Sequence, residues 1–354
     1  MEQEVNKKAK LKIIAKRFLD YLIKTMNGMA LGLFSTLIIG TIIQTIGTQT
    51  GIEEIEILAK LLKMMTGIGI GIGIGYSLKL EGLRLIAAGV AGGIGGLANF
   101  SGNALTAGVQ FGLPGDPVTI YLCVVISIEL LNIIFRKKTP VDIILIPLAS
   151  TIIAFGVFLL FNRPISSTMT SIGSFIKWAT DVQPFFMGII IAVVMGMALT
   201  APISSAAIAT SITLTGLPGG AAVVGCCVQM LGFAVMSRKD NNIGTMISVG
   251  IGTSMLQFKN ILKKPIIWLP TIIVSAILGP LSTIVFKTLC DSSGSGMGTS
   301  GLVGQFGTFA LMGNTKEFWI SVLILQIALP IILVYIIDII FRKVGWIKDG
   351  DLKI

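Results

Sequence analysis

The sequence predicts an all-α polytopic membrane protein with about ten transmembrane helices, and three observations support this fold class. Hydrophobic residues make up 53% of the 354 residues, and the mean hydropathy is +0.90. Charged residues make up only 12%, against about 25% in a typical soluble domain. The 42 glycines suit close helix contacts in lipid and helices that are broken around a cavity.

Composition also excludes several kinds of chemistry. The net charge of +10 comes from Lys and Arg at the ends of apolar segments, which indicates membrane topology rather than nucleic-acid binding. The chain has no histidine, the commonest proton shuttle, metal ligand and phosphoryl acceptor. Cys123, Cys226, Cys227 and Cys290 have no CxxC spacing, so we expect buried thiols. We predict no catalytic residue, no metal site and no cofactor in this chain.

The N-terminal residues 1–25 are predicted to form a basic amphipathic helix on the cytoplasmic membrane surface. Basic residues are spread from Lys7 to Lys24, too far for the short basic region of a cleavable signal, and apolar residues recur among them at helical spacing. Residues 26–345 are predicted to form one transmembrane domain, followed by a short cytoplasmic tail at 346–354.

The first half of the chain predicts five crossings. Apolar stretches of about 20 residues cross the hydrocarbon core as helices, and they lie at residues 28–47, 57–78, 83–99, 117–135 and 141–161. Lys79, Arg84 and Arg136 lie between or after these stretches, whereas loops 48–55 and 100–116 contain no Lys or Arg. The positive-inside rule therefore places the N-terminus in the cytoplasm.

The second half allows two topologies. Residues 162–181 are predicted to form an interfacial helix outside, and further apolar stretches lie at residues 185–200, 221–236, 243–258, 266–289 and 318–341. Ten spans require Arg238 and Lys239 outside, whereas eight spans, with residues 201–236 as a re-entrant hairpin, require them inside. Both place the two termini in the cytoplasm.

The tetrapeptide Gly-Leu-Pro-Gly occurs at 112–115 and again at 216–219. An inverted repeat of five plus five spans would require such a match, although chance also explains it.

The alternation of Gly and Ile from Gly67 to Gly75 is predicted to pack a helix closely against its neighbours, because Gly67, Gly71 and Gly75 share one helix face. The alternative is a backbone unwound around a substrate.

Three Gly/Ser/Thr-rich blocks are candidate binding segments. Residues 89–108 form either an exposed polar loop or a broken helix that lines a wet cavity. Residues 201–218 follow a helix break at Pro202, and their hydroxyl groups face either a substrate or neighbouring helices. Residues 291–314 are interpreted as a lid or re-entrant hairpin rather than a linker. The predicted substrate-binding residues are Asn99, Ser101, Asn103, Ser204, Ser205, Gln229, Thr299, Ser300 and Gln305.

Two carboxylates lie among apolar residues inside predicted spans. Glu129 is a candidate for proton coupling, since intramembrane ionisable groups are often functional. Asp338 lies within reach of Arg342 and Lys343. The alternative to a functional role for an intramembrane carboxylate is therefore an ion pair at the cytoplasmic end of its span.

The segments AGGIGGLANFSGNA, TAPISSAAIA and SGLVGQFGTFALMG, together with the basic start, resemble the phosphotransferase system enzyme IIC family of the perfringolysin-regulator (toxin-regulator) type over residues 15–345. The resemblance implies a homodimeric sugar-permease fold in a bacterial cytoplasmic membrane, with a substrate chamber between spans and re-entrant hairpins. The chain departs from a working sugar IIC protein, because it has no histidine, no fused phosphocarrier segment and no clear acidic sugar-binding motif.

Three functions follow from these observations. The first is a transporter that moves a small polar solute, a sugar or small organic acid, by alternating access without phosphoryl chemistry of its own. The second is the membrane permease component of a sugar phosphotransferase system that works with separate IIA and IIB proteins. The third is a membrane regulator that senses a solute.

Overall fold

The computed structural model describes residues 2–96, 115–136, 139–180, 182–203 and 205–354. These residues form helices and loops without a β-strand, apart from one isolated antiparallel bridge between Gly216 and Cys290. Six helices in the described part of the chain are long and apolar enough to cross a membrane. A seventh span results if a helix pair with a 47° bend is counted as one. The all-helical multi-pass fold is confirmed, but ten spans are not.

The first half of the chain forms one helix bundle. Its elements are α1 (Glu2–Leu33), a π-helical turn (Phe34–Ile38), α2 (Ile39–Thr50), α3 (Glu53–Met64), α4 (Thr66–Ser77), α5 (Leu83–Gly95), α6 (Pro117–Ile134) and α7 (Asp142–Thr180). Buried apolar side chains of α1 and α4–α7 form its core, among them Met29, Ile70, Ile120 and Phe158. The helix predicted at residues 162–181 is the continuation of α7 rather than a separate element.

Helix α4 confirms the packing interpretation of the Gly-Ile alternation. A Cβ atom at Gly71 would lie 2.1 Å from the carbonyl oxygen of Ala88 in α5, and one at Gly73 would lie 2.2 Å from that of Gly28 in α1. The glycines therefore let α4 pack closely between two helices, and the run is helical rather than unwound.

The second half forms a bundle around one central helix. Its elements are α8 (Pro184–Thr200), α9 (Ser205–Ser211), α10 (Gly216–Met236), α11 (Ile243–Ile247), a π-helical turn (Ser248–Gly252), a 3₁₀ turn (Ser254–Gln257), α12 (Phe258–Lys263), a 3₁₀ turn (Pro265–Trp268), α13 (Leu269–Pro280), a π-helical turn (Leu281–Val285), a 3₁₀ turn (Ser300–Leu302), α14 (Val303–Met312), α15 (Lys316–Ile320), a π-helical segment (Ser321–Ala328) and α16 (Leu329–Lys343). Helix α10 is almost wholly buried, because α8, α13 and α16 pack around it. All four cysteines are buried and free, as predicted.

Two hairpins enter the bundle from opposite ends. Hairpin 1 (residues 184–214) begins and ends near the loop after α13: Thr283 donates a hydrogen bond to the Pro184 carbonyl (2.8 Å), and Ser295 donates one to the Leu214 carbonyl (2.9 Å). It turns after Thr200, so the re-entrant segment is not residues 201–236, and α10 is a helix of spanning length.

Hairpin 2 (residues 243–264) begins and ends near the C-terminus. Asn241, just before it, donates a hydrogen bond to the Leu352 carbonyl (2.7 Å), and Lys264 at its end forms an ion pair with Asp351 (2.6 Å). It turns at Thr253 and Ser254. The single span predicted at residues 243–258 is therefore wrong, because the chain reverses at this turn.

Four basic residues of the second half lie at one end of the molecule, in ion pairs with acidic residues near the C-terminus or before it: Arg238, Lys239, Lys264 and Arg342. Arg238 and Arg342 both form ion pairs with the buried carboxylate of Asp338, at 2.5 and 3.0 Å. Arg238 and Arg342 therefore lie on the same side of the molecule. The ten-span topology requires Arg238 outside and Arg342 inside, so its condition is not met. Local sequence rules could not reveal this, because Arg238 and Asp338 are 100 residues apart.

Candidate functional site

A chamber of about 430 Å³ lies between the two bundles. Its walls come from α1 and α2, the α3–α4 bend, the start of α6, hairpin 1, the tip of hairpin 2, and residues 291–310. Its volume falls within the roughly 300–1,000 Å³ of typical ligand pockets. Most of the lining is apolar, with a limited set of polar side chains, which is the usual composition of a small-molecule site.

One wall carries a polar stripe. Thr41, Gln44 and Thr48 line the chamber from α2, and their spacing of three and four residues places them on one helix face. Lys63 of α3 faces the same space, and its Nζ donates a hydrogen bond to Gln44 Oε1. Lys63 therefore brings a positive charge to an otherwise neutral stripe.

The bend between α3 and α4 positions Lys63. Thr66 begins α4, lines the chamber and donates a hydrogen bond from its hydroxyl to the Lys63 carbonyl (2.6 Å). The same carbonyl also accepts a backbone N–H at the end of α3, so two hydrogen bonds hold the chain at this bend. Since glycine contacts hold α4 between α1 and α5, the chain bends at Met65 rather than within α4.

The segment 291–310 brings Asp291 to the chamber. Its carboxylate accepts hydrogen bonds from Ser293 Oγ (2.9 Å) and from the backbone N–H of Gly294 (2.8 Å). A Cβ atom at Gly307 would lie 2.4 Å from Asp291 Oδ1, so a larger residue at position 307 would collide with this carboxylate. Asp291, Ser293 and Gly307 all line the chamber, which therefore has one positive and one negative side chain among its described lining residues.

Two of the predicted binding residues, Ser205 and Ser300, line the chamber. Ser205 Oγ donates to the Gly296 carbonyl (2.7 Å), and Ser300 Oγ donates to the Gly252 carbonyl (2.8 Å). Each hydroxyl has used its proton but keeps lone pairs that accept hydrogen bonds. These serines are therefore suited to accept from a ligand hydroxyl while they hold the hairpin tips in place.

Three other predicted residues contact the protein rather than the chamber. Gln229 Oε1 accepts from Trp268 Nε1 (3.0 Å), and Gln305 Nε2 donates to Gln326 Oε1 (2.9 Å). Thr299 Oγ1 donates to a backbone carbonyl of hairpin 2 at 2.5 Å. These are hydrogen bonds between helices and loops. Asn99, Ser101, Asn103 and Ser204 lie outside the described residues.

Glu129 lies away from the chamber. It is exposed on α6 and accepts a hydrogen bond from the Tyr21 hydroxyl (2.5 Å). Proton coupling through Glu129 stays a hypothesis.

Lys63, Gln44 and Asp291 were missed at the sequence level. A usable signal existed for Lys63, because it lies inside the predicted span 57–78 and an ionisable residue in a span is a functional candidate. Gln44 and Asp291 carry no comparable signal, since a single amide in a span and an acidic residue at a loop start are both common.

Opposed hairpins and a largely apolar chamber with a few polar side chains lie between bundles of membrane-length helices, which is the architecture of a multi-pass membrane protein. The family profile described as "Phosphotransferase system, EIIC" matches residues 23–354. The chain therefore belongs to the phosphotransferase system EIIC family, as the resemblance predicted, and is a sugar-transport component of the bacterial inner membrane. EIIC components work with separate IIA and IIB proteins. Neither a curated protein nor a solved structure matches the chain significantly.

Proposed function

We propose that this chain is a permease that binds a small polar solute in the chamber and carries it across the membrane. The observation that carries the proposal is the position of Lys63, Gln44 and several hydroxyl groups on the walls of one 430 Å³ chamber between two bundles. Such a chamber holds a molecule of monosaccharide size by hydrogen bonds, without covalent chemistry.

Alternating access fits the arrangement of the hairpins. Leu199 and Ile203 of hairpin 1 and Thr253 and Met255 of hairpin 2 line the chamber, so the two hairpin tips separate it from the basic end of the molecule. We propose that the basic end faces the cytoplasm, in accord with the positive-inside rule, and that both termini lie there. Release to the cytoplasm then requires the tips to separate.

Coupling to phosphoryl transfer is the second candidate function, and family membership favours it. The chain has no histidine, and the four cysteines are buried. We therefore assign any phosphoryl transfer to separate IIA and IIB partners. Four further points stay predictions: the toxin-regulator subtype, the sensor hypothesis, the homodimer and the five-plus-five repeat. Deletion of residues 1–20 tests the sensor hypothesis. Cross-linking in membranes tests the homodimer.

Uptake into proteoliposomes tests the leading proposal. Gln44→Leu replaces a chamber amide with an apolar side chain, so we expect uptake of a transported solute to fall about tenfold or more. Thr50→Val, on the same helix but outside the chamber lining, is the matched control and should leave uptake unchanged.

Two further results decide between the candidates. Accumulation of a sugar phosphate that depends on phosphoenolpyruvate and on added IIA and IIB proteins would establish the second function. Failure to move any sugar, organic acid or amino-acid derivative, with and without those partners, would contradict both transport functions.

A further inference from the structure

We infer that the solute is a monoanion, a hydroxylated carboxylate such as a sugar acid, and that Lys63 binds its carboxylate. This inference rests on the proposed transport function and names the substrate class of the same chamber. It starts from Lys63, an ammonium group on the wall of a largely apolar chamber.

Lys63 has no carboxylate partner in the part of the chain that the structure describes. The six ion pairs found there all involve other basic residues. The side-chain partner of Lys63 is Gln44, a neutral amide. A half-buried ammonium group that is bonded only to a neutral acceptor keeps an uncompensated charge, and buried charges are ordinarily paired.

Asp291 is the one carboxylate among the described lining residues of the chamber, and it forms no ion pair with Lys63. Outside the described part, residues 97–114 contain neither Asp nor Glu, and the one acidic residue is Asp181. Glu56 lies on the same helix, but seven residues away, which is about 10 Å along the axis. It accepts a hydrogen bond from Thr48 (3.1 Å) and forms no ion pair with Lys63. A bound anion therefore supplies the charge that the protein lacks at this position.

Asp291 limits the charge of that anion. It lines the same chamber and has two hydrogen-bond donors from its own turn but no basic partner among the described residues. With one positive and one negative side chain on the walls, a dianion such as a phosphate monoester would face one cation and an opposing carboxylate. A monoanionic carboxylate fits this balance better.

The remaining polar lining suits hydroxyl groups. Thr48 and Thr66 have donated their hydroxyl protons to Glu56 and to the Lys63 carbonyl, and Ser205 and Ser300 have donated theirs to backbone carbonyls. All four keep acceptor lone pairs, so the complementary ligand presents several O–H donors. A polyhydroxylated acid combines such donors with the carboxylate that Lys63 requires.

Equilibrium binding to the full chain in lipid nanodiscs tests the inference. The probes are D-gluconate, D-glucuronate and D-galacturonate, with D-glucose and D-galactose as neutral counterparts. We expect at least one acid to bind at least tenfold more tightly than its neutral counterpart. Lys63→Gln should weaken binding of that acid by about ten- to hundredfold, because a hydrogen bond to a charged group is lost. Lys60→Gln, on the exposed side of the same helix, should have no effect.

A second variant covers the case in which Lys63→Gln does not fold. Gln44→Glu places a carboxylate where Lys63 already donates, with almost no change of volume. The internal ion pair should compete with the acid and lower its affinity at least tenfold, while neutral sugars are unaffected.

Three results would overturn the inference: equal affinity for acids and neutral sugars, acid binding that is insensitive to both variants, or no binding of any acid. Uptake measured in parallel separates this failure from that of the proposed function. Uptake of neutral sugars that Lys63→Gln leaves unchanged would support the permease function and reject the carboxylate site. Acid binding that depends on Lys63 but is not accompanied by uptake would support the carboxylate site and reject the permease function.

Discussion

Thr200 Oγ1 and Ser254 Oγ lie 2.8 Å apart, so a direct hydrogen bond joins the tips of two hairpins that enter from opposite ends of the protein. Thr200 ends α8, and Ser254 begins the turn at the tip of hairpin 2. Thr200 also donates toward Gln229 Oε1 in the central helix α10 (3.2 Å). This contact joins the hairpin tips that border the chamber, and the alternating access proposed above would have to break it.

Locking this contact should stop transport. Cysteine sulfurs at positions 200 and 254 would occupy nearly the places of the two hydroxyl oxygens, close to the roughly 2.05 Å of a disulfide. We expect oxidised Thr200→Cys/Ser254→Cys protein to lose uptake, and reductant to restore it. Thr200→Cys alone and Ser254→Cys alone, treated with the same oxidant, are the controls, and they also account for the four native cysteines. Uptake that persists after mass spectrometry confirms complete cross-linking would contradict the gating role.

The Asp338 cluster should contribute strongly to stability. Asp338 is fully buried and holds both Arg238 and Arg342, so Asp338→Ala leaves buried positive charge without its partner. We expect a loss of about 3–5 kcal/mol in the free energy of unfolding, measured by thermal or denaturant unfolding in detergent. Asp349→Ala is the matched control, because the Asp349 side chain is 73% exposed and its surface pairs contribute little. Equal effects of the two substitutions would reject a structural role for this cluster.

Attachment of the C-terminus should weaken at acid pH. Burial alone would raise the pKa of Asp351, but hydrogen bonds from Lys264 and from the Lys348 backbone N–H, with nearby positive charge, hold it below its usual value. A depressed folded-state pKa stabilises the attached tail above the unfolded value of about 3.9, and this contribution is lost as pH falls through the folded value.

Hydrogen exchange of residues 344–354 is the measurement. We expect protection to decline below about pH 4 in the wild type. Asp351→Asn should reduce protection already at neutral pH and remove this part of the pH dependence. A pH profile that Asp351→Asn leaves unchanged would show that another group controls the tail.

A pair of glycine substitutions should separate close packing from helix propensity. Gly71→Ala places a Cβ atom 2.1 Å from the Ala88 carbonyl oxygen, so α4 and α5 must move apart, at a cost of about 1–3 kcal/mol. Gly156→Ala in α7 meets no atom within 4 Å and should be neutral or stabilise the helix by up to about 1 kcal/mol. Unfolding midpoints of the two variants in the same detergent give the comparison. A stable Gly71→Ala protein would show that this contact is not tight.

Local patterns predicted most of the helices and part of the charge pairing. The predicted span 117–135 agrees with α6 to within one residue, because hydropathy and helix length are local properties. The ion pair between Asp338 and Arg342 was predictable for the same reason, since the two residues are one helical turn apart. The ion pair between Asp338 and Arg238 was not predictable, because it depends on how α10 packs against α16.

The sequence by itself determined that this chain is a multi-pass helical membrane protein, where most of its long helices lie, and to which family it belongs. These properties follow from residue composition, from apolar runs long enough to cross lipid, and from recognisable Gly-rich segments. Only the tertiary structure decided that Lys63 and Asp291 line one chamber and that Thr200 meets Ser254. The members of these two pairs are 228 and 54 positions apart in the chain. They arise from helix packing and chain reversals, which no local spacing of residues specifies.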